Sequence, residues 1–173
     1  MTGPALEAGR AAEPADVIGR PTPHPGVHTA GVQIDAQDLA QQCATAMWEN
    51  DSASRRLGMS EPVVAPGRAT LSMQVREDMV NGQGNCHGGY IATLADSAFA
   101  FACNTYDVVT VAAAFDIVFV APARIGDLLT ATAAERTRFG RSGLYDVTIT
   151  GEDGRVVAEF RGHSRSLGRP LLT

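Results

Sequence analysis

The hydrophobic and polar positions along the chain predict one long buried helix preceded by a glycine-studded loop. The loop begins at Asn81, and from about Gly88 to Tyr106 the residues are small or apolar on nearly every side, with a single charge at Asp96. A helix that is apolar all round is normally buried. Because a carboxylate in the middle of such a helix is costly unless a function requires it, Asp96 is the first candidate functional residue.

The rest of the pattern predicts an earlier helix and six strands. Apolar residues at four-residue steps indicate a helix over residues 38–50, which Asp35 can cap, and one more helical turn that ends at Leu57-Gly58. Alternating apolar positions bounded by turn residues predict strands over residues 61–65, 69–75, 108–120, 128–139, 144–150 and 156–166.

This order of elements predicts an α+β fold. Consecutive strands joined by short turns imply an antiparallel sheet. One sheet of about six strands has one long central helix to cover, so the sheet must curve around that helix. Residues 1–34 are rich in proline, alanine and glycine and are predicted to be a flexible extension, which leaves residues 35–173 as the folded domain.

Composition and charge narrow the classes of partner. The chain has 173 residues and a net charge of −5 at pH 7, which argues against nucleic acid as a partner. The central helix is rich in alanine and carries Asp96 and Asn104, so no membrane span is expected. The three cysteines have neither zinc-site nor disulfide-framework spacing, and no signal peptide is evident, so we expect a cytoplasmic protein without a metal.

Gly88 and Gly89 stand where the loop enters the central helix. The first N–H groups of a helix have no partner within the helix and carry partial positive charge. Because glycine lets a ligand approach the backbone closely, this point suits an anion or a developing oxyanion. Asn81 is able to add an amide donor. The alternative, that these are loop glycines with a capping asparagine, is equally compatible with the spacing.

Asp96 lies eight positions after Gly88, which is ~12 Å along a helix axis. One carboxylate does not reach an atom bound at the Gly88 N–H of its own chain. If both residues serve one reaction, two copies of the helix must pack antiparallel across a two-fold axis. This geometry predicts a dimer with two shared active sites. The alternative is a buried carboxylate that caps a neighbouring backbone group.

Several segments resemble the hot-dog-fold acyl-CoA thioesterases, and in particular the phenylacetic acid degradation (PaaI) type. The resemblance covers about residues 40–168 and does not include the N-terminal extension. Its most specific pieces keep the family spacing, and they are Asn81-Gly82, Cys86-His87-Gly88-Gly89, Leu94-Ala95-Asp96-Ser97-Ala98-Phe99-Ala100 and Ala102-Cys103-Asn104. The resemblance implies the hot-dog fold, in which a curved antiparallel sheet wraps around one long central helix.

The resemblance also implies roles for the residues of this stretch. The Gly88 N–H would polarise the thioester carbonyl, and Asn81 would assist it or position the attacking water. Asp96 of the partner subunit would act as general base or nucleophile, while His87 would orient the loop or contact the thioester. The family is usually a dimer of dimers. No cofactor is expected, because coenzyme A is part of the substrate.

The substrate contacts are less closely defined by the sequence. Related enzymes often place a hydroxyl near the acyl group, and here Ser97 or Thr110 would have to supply it. The run Val111-Ala112-Ala113-Ala114 leaves room for a bulky group, so we expect an aryl-CoA or hydroxylated aryl-CoA. Since all 14 basic residues are arginine, the phosphates of coenzyme A require arginine, histidine or backbone N–H groups. The candidate arginines, each of which also suits a solvated surface, are Arg124, Arg138, Arg141, Arg161 and Arg165.

Three other interpretations of this stretch are open to test. A Cys86–His87 nucleophile pair is disfavoured because adjacent side chains point apart. A hot-dog enoyl-CoA hydratase would use a histidine on the acyl chain, whereas His87 precedes two glycines as it does in the thioesterases. A non-catalytic acyl-CoA-binding protein would bind the thioester tightly without turnover.

Overall fold

The computed structural model describes residues 34–172, so the predicted extension lies outside the described range except for Ile34. A 3-10 turn over Glu77–Met79, which the sequence pattern does not predict, leads into the loop before the central helix. The other elements are α1 Ala36–Asn50, α2 Ser52–Arg56, β1 Val63–Ala65, β2 Arg68–Gln74, α3 Gly88–Cys103, β3 Thr110–Phe119, β4 Leu128–Phe139, β5 Ser142–Thr150 and β6 Val156–Ser166.

The six strands form one antiparallel sheet in the order β1-β2-β4-β5-β6-β3. The predicted α+β class and the predicted strand number are therefore confirmed. Strand β3 follows α3 in sequence but pairs with β6, so that Thr110 lies opposite Ser166 and Phe119 opposite Ala158. The strand order was not predicted, because alternation identifies the buried face of a strand and not its neighbour.

Helix α3 packs against all six strands of the sheet. Its sheet-facing side is fully buried, and Phe99 makes aromatic contacts there with Tyr145 and Phe160 at ring-centroid distances of 5.4 and 5.9 Å. The pairing register of the strands shifts at several points, which are Ala112 to Ala114 in β3 and one position each in β4 and β5. Such irregularities bend a strand, which is consistent with a sheet that curves around its helix.

One side of α3 is not covered by its own chain. Thr93 is exposed, and Ala92, Asp96 and Ala100 are only partly buried at successive turns. The prediction that the sheet buries the helix therefore holds for the sheet-facing side, because a single sheet covers only one side of a helix. The adjoining edge strand β3 is exposed as well, and its exposed large apolar side chains are Val111, Phe115, Val118 and Phe119.

Candidate active site

The loop before α3 is held closed by its own backbone and by Asn81. Val80 and Cys86 form a β-bridge, and the side-chain Oδ1 of Asn81 accepts hydrogen bonds from the N–H groups of Gln83 and Asn85 at 2.9 and 3.3 Å. The oxygen of Asn81 thus has the capping role that the sequence left open. Its amide NH₂ makes no hydrogen bond within residues 34–172 and is the end that is able to contact a ligand.

The start of α3 leaves one N–H group free at Gly88. The N–H of Gly89 donates to His87 Nδ1 at 3.1 Å, and the N–H of Tyr90 donates to the His87 carbonyl at 2.9 Å. The N–H of Gly88 has no hydrogen-bond partner in the described part of the chain. Because a helix N-terminus is partially positive, this group is suited to bind a carbonyl oxygen as negative charge develops on it.

His87 is the N-terminal cap of α3. Since its Nδ1 accepts the Gly89 N–H, the neutral ring must carry its proton on Nε2. The side chain is exposed, so Nε2–H is available as a donor in front of the helix. This geometry fits the supporting role that the resemblance implies. It also means that the N–H of Gly89 is occupied, which leaves Gly89 to serve the site by its small size.

Asp96 lies two turns further along α3, on the side that the sheet does not cover. Its Oδ1 is buried and has no hydrogen-bond partner, and no backbone N–H of residues 34–172 donates to its carboxylate. The alternative in which Asp96 caps a neighbouring backbone group is therefore not observed. Burial raises the pKa of the Asp96 carboxyl, because removal from water disfavours its charged form. A carboxyl with a raised pKa and no internal partner is suited to accept a proton.

Ser97, a candidate substrate contact, is tied to a neighbouring helix. Its hydroxyl lies 3.0 Å from that of Ser54, which is buried in α2. This bond holds α2 against α3 directly beside Asp96. Ser97 therefore positions the surroundings of the carboxylate, and its hydroxyl is already engaged within the chain.

Thr110 and three of the five arginine candidates, namely Arg138, Arg141 and Arg165, lie at the other end of α3. Asn104, which follows the helix, exchanges hydrogen bonds with the backbone of Thr110 at 2.8 and 2.9 Å, while the ring of Phe119 lies against Gly88 at the helix start. Strand β3 therefore runs antiparallel to α3. Sixteen residues of helix span ~24 Å, so Gly88 and Thr110 are separated by the length of α3.

The arginine candidates already have partners at that end of the sheet. Arg138 bonds to Glu135 at 3.2 Å and lies 3.7 Å from the centre of the Tyr106 ring. Arg141 donates twice to the Ser166 carbonyl, and Arg165 contacts the Ser142 hydroxyl at 3.4 Å. All three remain exposed, so these contacts orient their guanidinium groups without enclosing them.

The other two arginines lie elsewhere. Arg161 forms a two-bond ion pair with Asp146 on the outer face of the sheet, beside a surface groove of about 560 Å³. Arg124 follows Ala123, whose carbonyl accepts the Cys86 N–H at 2.8 Å, so its backbone lies next to the loop before α3. The chain thus brings Asn81, His87, Gly88 and Gly89 together and keeps Asp96 and the remaining arginines apart from them.

Two further chemistries find no support at this site. Cys86 is buried and burial raises the pKa of its thiol, which disfavours the thiolate that a nucleophile needs. Residues 34–172 contain no cluster of three or more metal-ligating side chains.

No helix in residues 34–172 is long and apolar enough to span a bilayer.

Sequence reasoning missed one neighbour of the site, Phe119. A Cβ atom built on Gly88 would lie 2.8 Å from Cζ of the Phe119 ring, so the ring tip rests on the start of α3. Alternate residues of a strand share one face, so the sequence puts Phe119 on the same face of β3 as Phe115 and Ile117. That pattern indicates the helix-facing side of the strand but not which part of the helix the ring meets.

Comparison with known proteins identifies the family of this fold and site. Residues 83–158 match the thioesterase superfamily. The chain is 43% identical over 129 residues to the acyl-coenzyme A thioesterase PaaI of Escherichia coli (strain K12), and the match covers 75% of this chain and 92% of that protein.

Solved structures agree with the sequence match. The E. coli PaaI protein from the phenylacetic acid degradation operon is 40% identical with a TM-score of 0.76, over 79% of this chain and 99% of that chain. A mutant PaaI of Thermus thermophilus is 35% identical with a TM-score of 0.64, over 68% of this chain and 100% of that chain. The chain therefore belongs to the thioesterase superfamily, has the hot-dog fold, and is a thioester hydrolase related to PaaI.

Proposed function

We propose that this enzyme hydrolyses an aryl-CoA of the phenylacetyl-CoA type to the free acid and coenzyme A, as a step of aromatic catabolism. The observation that carries the proposal is the 43% identity to the acyl-coenzyme A thioesterase PaaI, which extends over 92% of that protein. The free N–H of Gly88 and the unpartnered carboxylate of Asp96 support it, because they are an oxyanion donor and a proton acceptor.

The reaction divides between these two groups. The thioester carbonyl oxygen accepts the Gly88 N–H, which stabilises the negative charge that develops as the carbonyl carbon is attacked. In the general-base route, Asp96 removes a proton from water, the hydroxyl adds to the carbon, and the C–S bond breaks. The proton then passes to the departing thiolate. In the nucleophilic route, the Asp96 carboxylate adds to the carbonyl carbon and the C–S bond breaks, which releases the thiolate of coenzyme A. Water then hydrolyses the resulting anhydride to the free acid and the Asp96 carboxylate, and the released proton passes to the thiolate.

The separation of Gly88 and Asp96 requires that two chains form each site. Eight residues of α3 place Asp96 ~12 Å from Gly88 along the axis, further than one side chain reaches. We therefore assign the Gly88 of one chain and Asp96 of the partner subunit to the same substrate. The uncovered side of α3, on which Asp96 lies, is the side available for the partner helix.

Strand β3 supplies the surface for this pairing. It is a ten-residue edge strand, and Phe115, Val118 and Phe119 are 48, 60 and 51% exposed. A long exposed apolar edge is an open template for another strand. If two β3 strands pair antiparallel about a two-fold axis, the sheet continues across the dimer. Because α3 runs antiparallel to β3, the two α3 helices are then antiparallel as well.

The same pairing places the arginines of one chain near the thioester site of the other. Arg141 and Arg165 lie at the Thr110 end of β3, since Arg165 pairs with Val111. In an antiparallel β3 pair, the Thr110 end of one chain adjoins the partner's Phe119 end, and hence its Gly88. These exposed guanidinium groups are suited to bind the phosphates of coenzyme A. A cytoplasmic enzyme assembled as a dimer of dimers completes the proposal, on the resemblance to the family.

Release of free thiol from a panel of acyl-CoA esters tests this function. The panel contains phenylacetyl-CoA, a ring-hydroxylated aryl-CoA, acetyl-CoA and a long-chain acyl-CoA, with Asp96→Asn as the matched inactive control. We expect the highest kcat/KM with the aryl esters. Thiol release no faster than the Asp96→Asn control on every ester contradicts hydrolysis, and a preference for long alkyl chains contradicts only the aryl assignment. An enoyl-CoA substrate added to the panel tests hydration.

A further inference from the structure

The ring of Phe119 occupies an unusual position for a half-exposed side chain at a sheet edge. Its Cζ lies 2.8 Å, and its Cε1 and Cε2 3.2 Å, from the point where a Cβ on Gly88 would stand. The ring therefore points its tip at the first residue of α3. Among the described residues, these three ring atoms are the nearest neighbours of that point outside the helix start itself.

Packing of the core does not account for this placement. Phe115, which lies four residues earlier on the same face of β3, stacks on the buried ring of Phe160 at 4.8 Å between centroids. Phe119 makes no aromatic pair in the described part of the chain and is 51% exposed. Within one chain the half-exposed ring gains only part of the stabilisation that burial gives, and the proposed β3 pairing would cover more of it without changing its contact with Gly88. The contact that the Phe119 ring does make is with the first residue of α3, Gly88.

The contact places an apolar ring against the residue whose N–H has no hydrogen-bond partner in the described part of the chain. A hydrogen bond from a helix N-terminus to a developing oxyanion is stronger where water is excluded, because the local dielectric is lower. Gly88 meanwhile has no side chain of its own to do this, and a Cβ at that position would displace the ring. Glycine at 88 and phenylalanine at 119 are thus a matched pair.

We propose that Phe119 is a positioning residue of the thioesterase site, whose ring shields the Gly88 N–H from water and holds the thioester carbonyl against it. The inference rests on the proposed function. It adds a second reason for glycine at position 88, namely that the ring occupies the space of a Cβ atom. Phe119 acts through the Gly88 N–H, so its removal affects turnover more than substrate affinity.

The test measures kcat and KM for phenylacetyl-CoA in the full-length enzyme. We expect Phe119→Ala to lower kcat about tenfold with KM changed less than about threefold, since loss of one oxyanion interaction costs about 100-fold and here the donor remains. Phe119→Leu, which keeps an apolar group, is expected to retain most of the kcat. Phe115→Ala is the control for loss of a similarly exposed ring from the same pairing surface, since Phe115 is not among the atoms against Gly88. Light scattering on both variants checks that the assembly is retained.

A double-mutant cycle separates this role from a merely structural one. Gly88→Ala alone is expected to lower kcat at least about tenfold because its Cβ displaces the ring. In the Phe119→Ala background the same Cβ enters vacated space, so the double variant is expected to be no slower than Phe119→Ala alone. Effects that simply multiply, or a kcat of Phe119→Ala equal to that of Phe115→Ala, overturn the inference.

Two outcomes distinguish this inference from the function on which it rests. An inactive wild-type enzyme contradicts the proposed function, whereas an active wild type with additive Phe119 and Gly88 effects contradicts only the inference. If Phe119→Ala does not fold, the cycle is run with Phe119→Leu, whose shorter side chain also frees the space near position 88. Failure of Phe119→Leu to relieve the Gly88→Ala defect then overturns the inference.

Discussion

At the scale of one residue, Asp96, the proposed proton acceptor, is a group that lowers the stability of the folded chain. Its Oδ1 is enclosed without a partner, and burial raises the pKa of the carboxyl. The ionised form is therefore less stable in the folded chain than in the unfolded chain. A residue selected only for stability would not be a carboxylate at this position.

We predict that Asp96→Asn lowers kcat at least about 100-fold while making the fold more stable at neutral pH. The sign follows from the raised pKa, because the folded chain favours protonation and so loses stability as pH rises through that pKa. Asparagine has no charge to bury. The stability gain should shrink as pH falls towards about 4, where the unfolded carboxyl is also protonated.

Thermal unfolding of Asp96→Asn and wild type across this pH range, beside thiol release, checks the prediction. Asp38→Asn is the matched control, since Asp38 is an exposed helical carboxylate. A variant less stable than wild type at pH 7, with the gap unchanged at low pH, would show that the charge of Asp96 is compensated in the folded enzyme. The wild-type kcat is expected to decline as pH falls through the pKa of Asp96.

At this scale the sequence identified some residues and not others. The sequence singles out Gly88 and Asp96 as candidates because they break the local pattern, as a glycine at a helix start and a charge in an apolar helix. The sequence did not predict the hydrogen bond between the Ser97 and Ser54 hydroxyls or the contact of Phe119 with Gly88. Both join residues that are distant in the chain, and a local pattern carries no signal for such contacts.

At the scale of elements, strand β3 is the long sheet edge that has no pairing strand on its outer side within the described chain. The other edge strand, β1, has only three residues, whereas β3 has ten. Short edge strands offer little for another chain to pair with. An interface between copies is therefore expected at β3 and not at β1.

We predict that the double substitution of Val118→Lys in β3 and Val120→Lys directly after it shifts the enzyme from the proposed assembly to smaller species. Both side chains are exposed, at 60 and 58%, and lysine on an edge strand opposes pairing because its charge would be carried into the interface. Val63→Lys on β1 is the matched control, with 73% exposure on the opposite edge. Light scattering measures the mass, and an unchanged mass for the double variant would contradict pairing through β3.

The sequence predicted a strand such as β5 well because every second residue of it is buried, which gives a regular alternation of apolar positions. The short turns between consecutive strands predicted that the sheet is antiparallel. The single long helix predicted that the sheet curves, because one sheet has to cover that helix. The sequence did not predict that β3 lies beside β6 at the edge. That placement depends on long-range pairing, and it is also what leaves β3 open to a partner.

At the scale of the whole molecule, the enzyme is predicted to be active only as an assembly. One chain has its free N–H at the start of α3 and its exposed arginines at the end, ~24 Å apart. The proposed two-fold arrangement would bring the start of α3 in one chain next to the end of α3 in the other. Dissociation should therefore abolish activity even where each chain remains folded.

We predict that Arg141→Ala with Arg165→Ala raises the KM for phenylacetyl-CoA at least about tenfold with little change in kcat, because phosphate contacts bind substrate and transition state alike. Arg136→Ala is the control, since Arg136 pairs with Asp146 on the outer face. A substrate lacking the nucleotide, such as the pantetheine thioester, should show no difference between variant and wild type. An unchanged KM for the CoA ester would remove these arginines from the site.

Complementation between two inactive variants tests the shared site most directly. Asp96→Ala chains and Gly88→Pro chains are each checked for folding, mixed in equal amounts, and allowed to exchange subunits. Each mixed dimer then has one site with an intact Gly88 and an intact Asp96 of the partner subunit. Random pairing of two inactive chains should restore about a quarter of the wild-type activity per chain if sites are shared across the two-fold axis. No activity in mixtures that demonstrably contain mixed dimers would contradict a site built from two chains.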